Sequence, residues 1–529
     1  MTLLILVLLP ILTGLLQYIQ PKSWPNRWVL WIEVLLLGLT VNLLRGPVAD
    51  LHLTAHPLPI GMRLQASPLT LHFVLLTNVL FPLLLLFASG ESYFQRRFVF
   101  LFMSLQGLIV GVFVSADLFN IYLLMEVATV VASILIMYKK DSMSIYDGLI
   151  YLVSNMVAMT FFLMGIGYMY KLTGILDLFL LADYTPHLTG TDLALPAAFL
   201  LTGVSLKAAM LPLFSWLPKA HGTASAPSVV SAVLSAIFVK TGIYLYIRIG
   251  DMLHLGSDMS WLFLAIGIIT ALAGVGLAMS QRDLKLFLAY STVSQVGLIM
   301  AGINTPGAYG FNGAMVHIYS HGLYKGLLFL LAGLLVNHYS TRDMEDMQGL
   351  WHRSKFLSLA LFIGGVNMIG FPLTLSSLSK DLISKGMAGS PFEWIFFAVG
   401  CLSVIYLYRF VKIILPPRSK GPAGPVAPFL VTLKEGFVVT AFILILLGAY
   451  GWSPYLASYM GFQVVPLSLG TSLAKFPVLA LQMLLGFLIF YLVETKSHWL
   501  SRVRKFDLSF NGISLAIVTF FAGLVLYFQ

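Results

Sequence analysis

Apolar residues follow one another along this chain in runs of about 20, separated by short breaks that are polar or rich in proline and glycine. A helix of that length crosses a hydrocarbon core of roughly 30 Å, and cutting the sequence at the breaks predicts about sixteen spans. Their approximate limits are 2–18, 28–45, 70–89, 98–115, 117–138, 145–170, 195–218, 228–249, 261–280, 285–302, 308–337, 355–385, 392–415, 436–453, 474–493 and 511–528. The pattern predicts an all-α polytopic membrane protein. The eleventh and twelfth runs are too long for a simple perpendicular crossing and must tilt, kink or break.

The lysines and arginines are distributed unevenly between these spans. Nineteen follow odd-numbered spans, six follow even-numbered ones, and the remaining six of the 31 lie within spans. Cytoplasmic loops of membrane proteins carry such an excess of basic residues, so both termini are expected on the non-cytoplasmic side. The first run has no basic residue before it and no small-residue cleavage site after it. We therefore expect a spanning helix there rather than a secretory signal.

The composition narrows the function further. The chain is 59% hydrophobic and 10% charged, against roughly 25% charged for an average soluble domain. Its formal net charge of +10 does not indicate nucleic-acid binding, because the basic residues lie in short loops rather than in a patch with interleaved aromatics. The only cysteine, Cys401, excludes an intrachain disulfide, a cysteine-ligated zinc site and an iron–sulfur cluster. No phosphate-binding glycine loop or dinucleotide fingerprint occurs, so no cofactor is expected in this chain.

Several ionisable residues interrupt the apolar spans, although each costs about 2.5–3.5 kcal/mol at the centre of a helix on insertion scales. Glu126 lies near the centre of the fifth span, Lys207 about midway along the seventh, and Lys240 near the middle of the eighth. Lys380 and Asp381 lie within the twelfth. A buried lysine, unlike an arginine, can release its proton. These positions therefore indicate a switchable path for protons.

The eleventh span places three titratable residues on one face. His317, His321 and Lys325 are spaced i, i+4, i+8 in MVHIYSHGLYKGLLFLLAG, which puts one group on each turn over about 12 Å. Histidine accepts and releases protons near neutral pH. A proton could therefore hop along the row where water bridges the gaps.

Each of these residues also has a structural interpretation. A single intramembrane histidine is usually a packing residue, and two histidines four apart could ligate a metal. Glu126 and Lys207 could form an ion pair that only holds two helices together. One structural pair does not account for three lysines, two histidines and a glutamate, which favours the polar ion path.

Pro212 lies shortly after Lys207 in the same span. Proline removes a backbone hydrogen bond and breaks or kinks a helix, and freed carbonyls at membrane depth are tolerated only against protein or water. We therefore predict a hydrated cavity beside Lys207. The segment LPLFSWLPKA around Pro212 is echoed by FPLTLSSLSKD around Pro372, five spans later. Paired broken helices at corresponding places in two halves are typical of inverted-repeat transporters.

Three segments carry a family resemblance. They are LKAAMLPLFSWLPKAHGTASAPSVVSAVLSAIFVKTGIYLYIR (206–248), QRDLKLFLAYSTVSQVGLI (281–299) and HIYSHGLYKGLLFLLAGLL (317–335). In this order they resemble the antiporter-like subunits shared by respiratory complex I, Mrp-type sodium/proton antiporters and membrane-bound hydrogenases. The resemblance covers roughly residues 70–415, and the D-type Mrp subunit is the most similar. It implies a core of fourteen helices with two inverted five-helix repeats and with broken seventh and twelfth helices.

The resemblance also implies roles for the ionisable residues. Those that it places on the proton path are Glu126, Lys207, Lys240, His317, Lys325 and Lys380. Glu126 would pair with Lys207, and Lys380 would lie near one half-channel, with Asp381 as a secondary candidate. The implied domains are N-terminal helices in 1–97, a first repeat in 98–250, a second repeat in 251–415 and C-terminal helices in 416–529.

Two features depart from the family pattern. FPLTLSSLSK replaces the usual Pro-rich, Gly-Phe approach to the terminal lysine, and the two last spans extend beyond fourteen helices. The segment ETKSHWLSRVRKFDLS between those spans is too short for the long lateral helix of some members.

The sequence favours a proton-translocating subunit of a multi-subunit Mrp-type Na+/H+ antiporter. The alternatives are a proton-pumping membrane-arm subunit of a complex I-like NADH/quinone oxidoreductase or membrane-bound hydrogenase and, more distantly, an antiporter that works alone. An intramembrane lipid-linked transferase is disfavoured because the acids of the loop at 177–192 are scattered. We expect other small hydrophobic subunits as partners, protons and Na+ as the ions, and a location in the cell membrane. We expect no nucleic acid and no redox chemistry in this chain.

Overall fold

The computed structural model divides the chain into two compact units, Met1–Met259 with Leu508–Gln529, and Ser260–Asp507. The described residues are 1–20, 28–53, 61–222, 226–416, 428–459, 470, 474–496, 503–504 and 510–528.

The first unit contains helices and one short antiparallel hairpin. Its helices are α1 (Thr2–Ile19), α2 (Trp28–Arg45), α3 (Pro68–Ala88), α4 (Arg96–Val114), α5 (Leu118–Ile136), α6 (Ser142–Thr173), α7 (Leu178–Tyr184), α8 (Gly190–Lys207), α9 (Trp216–Gly222), α10 (Ser228–Val233), α11 (Val239–Leu253) and α21 (Phe510–Phe528). The hairpin pairs β1 (Ala49–His52) with β2 (Arg63–Ala66). Arg63, the first residue of β2, makes an ion pair with Asp177, in which Nε of Arg63 lies 2.7 Å from Oδ2 of Asp177.

Helices are the regular elements of the second unit in its described residues. Its helices are α12 (Ser257–Ser280), which begins at the end of the first unit, α13 (Leu284–Ile303), α14 (Ala308–Tyr339), α15 (Leu350–Arg353), α16 (Lys355–Ile369), α17 (Leu375–Gly386), α18 (Phe392–Ile414), α19 (Leu433–Tyr459) and α20 (Phe476–Lys496).

The helices agree with the spans predicted from the apolar runs. Thirteen helical segments of the described residues are long and apolar enough to cross a membrane. The other three predicted spans are also helical: the seventh consists of α8 and α9, the twelfth of α16 and α17, and the fifteenth of α20. The all-α polytopic class is therefore confirmed. Of the two longest runs, the eleventh is one helix of 32 residues and the twelfth is broken.

Both predicted helix breaks are present. Between α8 and α9 the chain leaves the helix at residues 208–215, which include Pro212, and between α16 and α17 it does so at 370–374, which include Pro372. Each break contains a non-glycine residue with a left-handed backbone, Ala209 with φ 54° and Leu373 with φ 69°. Such a conformation costs energy in residues with a Cβ atom, so the surrounding helices must hold it in place.

A second pattern recurs in the two units. Asp117 caps the N-terminus of α5 and forms a β-bridge with Asp177, while Asp283 caps α13 and forms a β-bridge with Asp343. A helix of 32 residues, α6 in one unit and α14 in the other, lies between the bridged positions. Equal helix lengths and equivalent bridges are the pattern expected of two repeats.

The last two helices pack against helices of their own units. Gly486 of α20 lies so close to α18 that a Cβ atom there would come within 2.1 Å of the carbonyl oxygen of Cys401. Cys401 is buried beneath this contact. In the first unit, Phe521 of α21 packs against Phe199 of α8, with ring centroids 4.4 Å apart.

Candidate functional site

Lys207 is the last residue of α8, immediately before the break, and it is 2% exposed. Its Nζ donates a hydrogen bond of 2.6 Å to Oγ1 of Thr129 on α5. Thr129 lies one helical turn beyond Glu126, whose charge interacts with that of Lys207. A cation at the C-terminus of a helix is favoured by the helix dipole. Lys207 therefore contacts α5 one helical turn from Glu126, and its direct partner is a neutral hydroxyl rather than the carboxylate.

The helix break around Lys207 is supported by neighbouring side chains. Trp216 of α9 donates its Nε1–H to the carbonyl oxygen of Leu206 at 2.7 Å. It thus adds a second donor to a carbonyl near the end of α8, which also accepts the backbone N–H of Ala209 at 2.8 Å. The backbone N–H of Met210 reaches the carbonyl of Ser205 at 3.0 Å.

Lys240 is fully buried near the start of α11. The preceding residues, Leu234–Phe238, form a turn of π-helix, and Nζ of Lys240 donates to the carbonyl oxygen of Ser235 at 2.5 Å. Turns of π-helix are frequent at functional sites because they free backbone groups within a helix. Two residues further on, Gly242 brings α11 against the end of α8, since a Cβ atom there would lie 2.5 Å from the carbonyl carbon of Lys207.

In the second unit, His317 of α14 is held from two sides. Its Nδ1 lies 2.8 Å from Oγ of Ser379 on α17, and its Nε2 lies 3.0 Å from Oε1 of Gln295 on α13. Tyr324 donates its hydroxyl to the same Gln295 oxygen at 3.2 Å. These partners are neutral, and together they fix the orientation of the imidazole ring.

Lys325 is buried one turn beyond His321, which is also fully buried. Nζ of Lys325 donates to the carbonyl oxygen of Leu288 at 2.8 Å and to Oγ of Ser291 at 2.5 Å. Both acceptors are neutral groups of α13. No carboxylate forms an ion pair with Lys325 in the part of the chain that the structure describes. A buried ammonium without a counter-charge is costly, and its two neutral hydrogen-bond acceptors offset part of that cost.

Lys380 lies on α17 and reaches back across the second break. Its Nζ donates to the last carbonyls of α16, those of Met368 at 3.0 Å and Ile369 at 3.1 Å. Gly370, with φ 81°, allows the backbone to turn beside this side chain. Lys207 and Lys380 therefore both interact with the C-terminal end of an interrupted helix, one as its last residue and the other through hydrogen bonds.

A cavity of about 370 Å³ opens beside Lys380. Asp381 lines it and makes ion pairs with Lys385 at 3.1 Å and with Lys475 at 3.3 Å. Lys475 precedes α20, and Gln482 of the same helix lines the cavity wall. A partly open cavity that has charged side chains in an otherwise mostly apolar wall, next to a lysine, could bring water or ions to it.

The structure places Lys207 and Lys380 against the two helix breaks, Lys240 after a π-helical turn, and His317, His321 and Lys325 on α14. Glu126 lies within the continuous helix α5. The structure also adds partners that the sequence did not reveal. Thr129, Gln295 and Ser379 are the hydrogen-bonding partners, and none of them carries a charge that stands out in an apolar run. Of these three, Thr129 could have been found from the sequence, because it lies three residues after Glu126 and therefore on the same helix face. Among the described residues, no group of three histidine, cysteine, aspartate or glutamate side chains is arranged to hold a metal ion.

These features define a class of protein: a helical membrane protein with lysines buried at helix breaks and bonded to neutral oxygens. The chain belongs to the NADH:quinone oxidoreductase/Mrp antiporter transmembrane family, which it matches over residues 115–406. It is an antiporter-like membrane protein of that family.

Two of the relatives of known name belong to different kinds of complex. The N subunit of the NADH-quinone oxidoreductase of Desulforudis audaxviator (strain MP104C) is 32% identical over 398 residues, which are 71% of this chain and 77% of that protein. The D-type subunit of the Na(+)/H(+) antiporter of Alkalihalophilus pseudofirmus is 29% identical over 349 residues, 65% of this chain and 70% of that protein. The fold is similar to a chain of the Mrp complex from Dietzia sp. DQ12-45-1b, with a TM-score of 0.76, 20% identity, and coverage of 91% of this chain and 99% of that one.

Proposed function

We propose that this chain is the proton-translocating subunit of a multi-subunit Mrp-type Na+/H+ antiporter in the cell membrane. The observation that carries the proposal is the buried ammonium of Lys207 at the end of a broken helix. Thr129 of α5 accepts its hydrogen bond, and Glu126 lies one helical turn before Thr129 on α5. Such a lysine keeps its proton while the carboxylate charge is near and gives it up when that charge is withdrawn.

In the first unit, loss of the Glu126 charge would release the proton of Lys207 towards Lys240. The carbonyl of Ser235 would then hold the charged form of Lys240, and a second proton would reset the pair. Lysine suits both positions because its ammonium can lose a proton, which a guanidinium cannot.

In the second unit, the row His317, His321 and Lys325 would pass protons along one face of α14, since all three are buried and spaced by one turn. His317 is joined through Ser379 to the helix that carries Lys380. The cavity beside Lys380 would then give the row access to water.

The test of this site is the substitution Lys207→Ala in the assembled complex, with proton uptake into vesicles as the measurement. We expect proton transport to be lost while the complex stays intact. Lys171→Ala is the matched control, because Lys171 is an exposed lysine in the last turn of α6; it should transport normally. Full transport by the Lys207 variant would refute the proposed role.

The parent complex needs a separate test, because the NADH-quinone oxidoreductase relative supports a second candidate, a proton-pumping subunit of a complex I-like enzyme. Purification of the chain from its native membrane in mild detergent distinguishes the two. Small hydrophobic subunits alone, with proton movement driven by a Na+ gradient, would support the antiporter. Copurifying iron–sulfur, flavin or nickel subunits would support the redox-driven pump instead.

A further inference from the structure

Glu33 lies in the second predicted span, near its N-terminal boundary. Helix α2 buries only four of its side chains, Val29, Glu33, Leu36 and Thr40. Their spacing forms one inward stripe along the helix. Two of these four side chains are polar, and the carboxyl group of Glu33 is 0% exposed. A membrane helix that otherwise faces outward thus directs a carboxyl group into the protein.

Side chains of three helices meet at this carboxyl group. Gln106 of α4 donates its Nε2–H groups to Oε2 of Glu33 at 2.9 Å and to Oδ1 of Asn78 on α3 at 3.1 Å. Asn78 donates to Oγ1 of Thr40 at 2.8 Å, and Thr40 donates to the carbonyl of Leu36 at 2.8 Å. Glu33, Asn78, Gln106 and Thr40 are all at most 1% exposed. The four side chains therefore form a buried, hydrogen-bonded polar cluster between α2, α3 and α4.

One oxygen of the carboxyl group accepts no hydrogen bond. Oε1 of Glu33 is buried and has no hydrogen-bond partner, and no cationic side chain of the described residues forms an ion pair with Glu33. An ionised carboxylate with one hydrogen bond and no counter-charge is prohibitively expensive at this depth. The group needs one positive charge, and Oε1 is the oxygen on which a proton would sit.

The hydrogen bonds also favour a proton over a metal cation. The amide N–H groups of Gln106 already bridge Glu33 and Asn78. Oε2 of Glu33 and Oδ1 of Asn78 are therefore bonded to a donor, while Oε1 of Glu33 and Oε1 of Gln106 have no partner. Two such oxygens are fewer than the roughly six that Mg²⁺ or Ca²⁺ takes. A glutamine at position 33 would accept the same bond from Gln106 without the cost of a charge. What a glutamate adds is an exchangeable proton.

We propose that Glu33, Asn78 and Gln106 form a proton-binding site in the N-terminal helices, built from helices other than those of the lysine path. The site does not depend on the proposed function, since it rests on the buried, unpaired carboxyl group. Its ligand is a single proton, held on Glu33 and exchanged with the aqueous phase.

Infrared difference spectroscopy of the purified full-length chain, with its copurifying subunits, tests the site. The probe is the carbonyl stretch of a protonated carboxyl group, recorded for the wild type and for Glu33→Gln in H₂O and D₂O across a pH series. We expect the variant to lack a band equivalent to one protonated carboxyl group, and the wild-type band to titrate. Glu126→Gln is the matched control, because it removes the half-buried carboxyl group of α5 and should leave the Glu33 band in place.

Several outcomes would overturn the proposal. Identical wild-type and Glu33→Gln spectra would show that the group is ionised, and a band that persists at every pH would show a proton that never exchanges. Loss of the band when Na+ is added at constant pH, but not when the larger organic cation choline is added, would make this a sodium site instead. Thermal melting of Glu33→Gln should match the wild type, because the glutamine keeps the bond to Gln106, and this excludes an unfolded variant as the cause of the missing band.

Discussion

Gly242 offers the sharpest test of how α11 positions the lysine at the end of α8. A Cβ atom at Gly242 would lie 2.4 Å from the backbone nitrogen of Ala208 and 2.5 Å from the carbonyl carbon of Lys207. Both contacts are about 1 Å shorter than the roughly 3.5 Å of a normal carbon contact. Both atoms belong to the backbone, so they cannot rotate aside. Gly242→Ala must therefore push the two helices apart by about that distance.

The cost of this substitution follows from two opposing terms. Overpacking costs about 1–3 kcal/mol, while alanine is favoured over glycine in a helix by about 1 kcal/mol. With backbone atoms in the way, we expect a net destabilisation of about 2 kcal/mol. A displacement near 1 Å at a functional group typically costs of order 100-fold in rate, so proton transport should fall by that order.

The assay is proton uptake by vesicles, with thermal melting of the purified chain in parallel. Gly250→Ala is the matched control on the same helix, since the nearest atom to its new Cβ would be Cδ1 of Leu255 at 3.5 Å. That variant should be as stable as the wild type or more stable, and it should transport normally. If Gly242→Ala melts and transports like Gly250→Ala, the close approach of α11 to Lys207 does not exist.

Three further predictions concern the polar partners. Thr129→Val removes the acceptor at 2.6 Å from the ammonium at the end of α8; loss of a hydrogen bond to a charged group costs about 1.5–3 kcal/mol, so vesicle proton uptake should fall at least tenfold. Gln295→Leu removes the partner of the Nε2 atom of His317, and we expect slower proton uptake with an intact complex on a native gel. Lys475→Ala breaks a partly exposed ion pair with Asp381; the free energy of unfolding should drop by no more than about 1 kcal/mol, and the difference should shrink in high salt.

The fold was largely predictable because hydrophobic runs and prolines act locally. Sixteen apolar runs correspond to helices, and the breaks fall at Pro212 and Pro372, where the missing N–H favours an interruption. Proline alone does not decide this, because Pro10, Pro82 and Pro196 lie inside continuous helices. The charged residues of the path were also visible, since a lysine stands out in an apolar run. The roles assigned to them remain predictions until transport is measured.

The partners of those charges were not predictable from spacing alone. Thr129 and Gln295 are common residues in membrane helices, and only the packing of neighbouring helices shows which of them meet Lys207 and His317. The π-helical turn before Lys240 contains no proline or glycine from which it could have been predicted. Glu33 was overlooked because one glutamate near the end of an apolar run resembles a boundary residue.

Cys401 makes this protein a natural single-label scaffold. It is the only cysteine among 529 residues, and it lies where α20 covers α18 through Gly486. A maleimide dye or a spin label will therefore attach to this chain only at Cys401, and no other cysteine has to be mutated first. Because the sulfur is buried, its labelling rate measures how often the outer helix separates from its neighbour. A fluorescence or resonance experiment on the unmodified sequence can thus follow the motion of α20 while ions move.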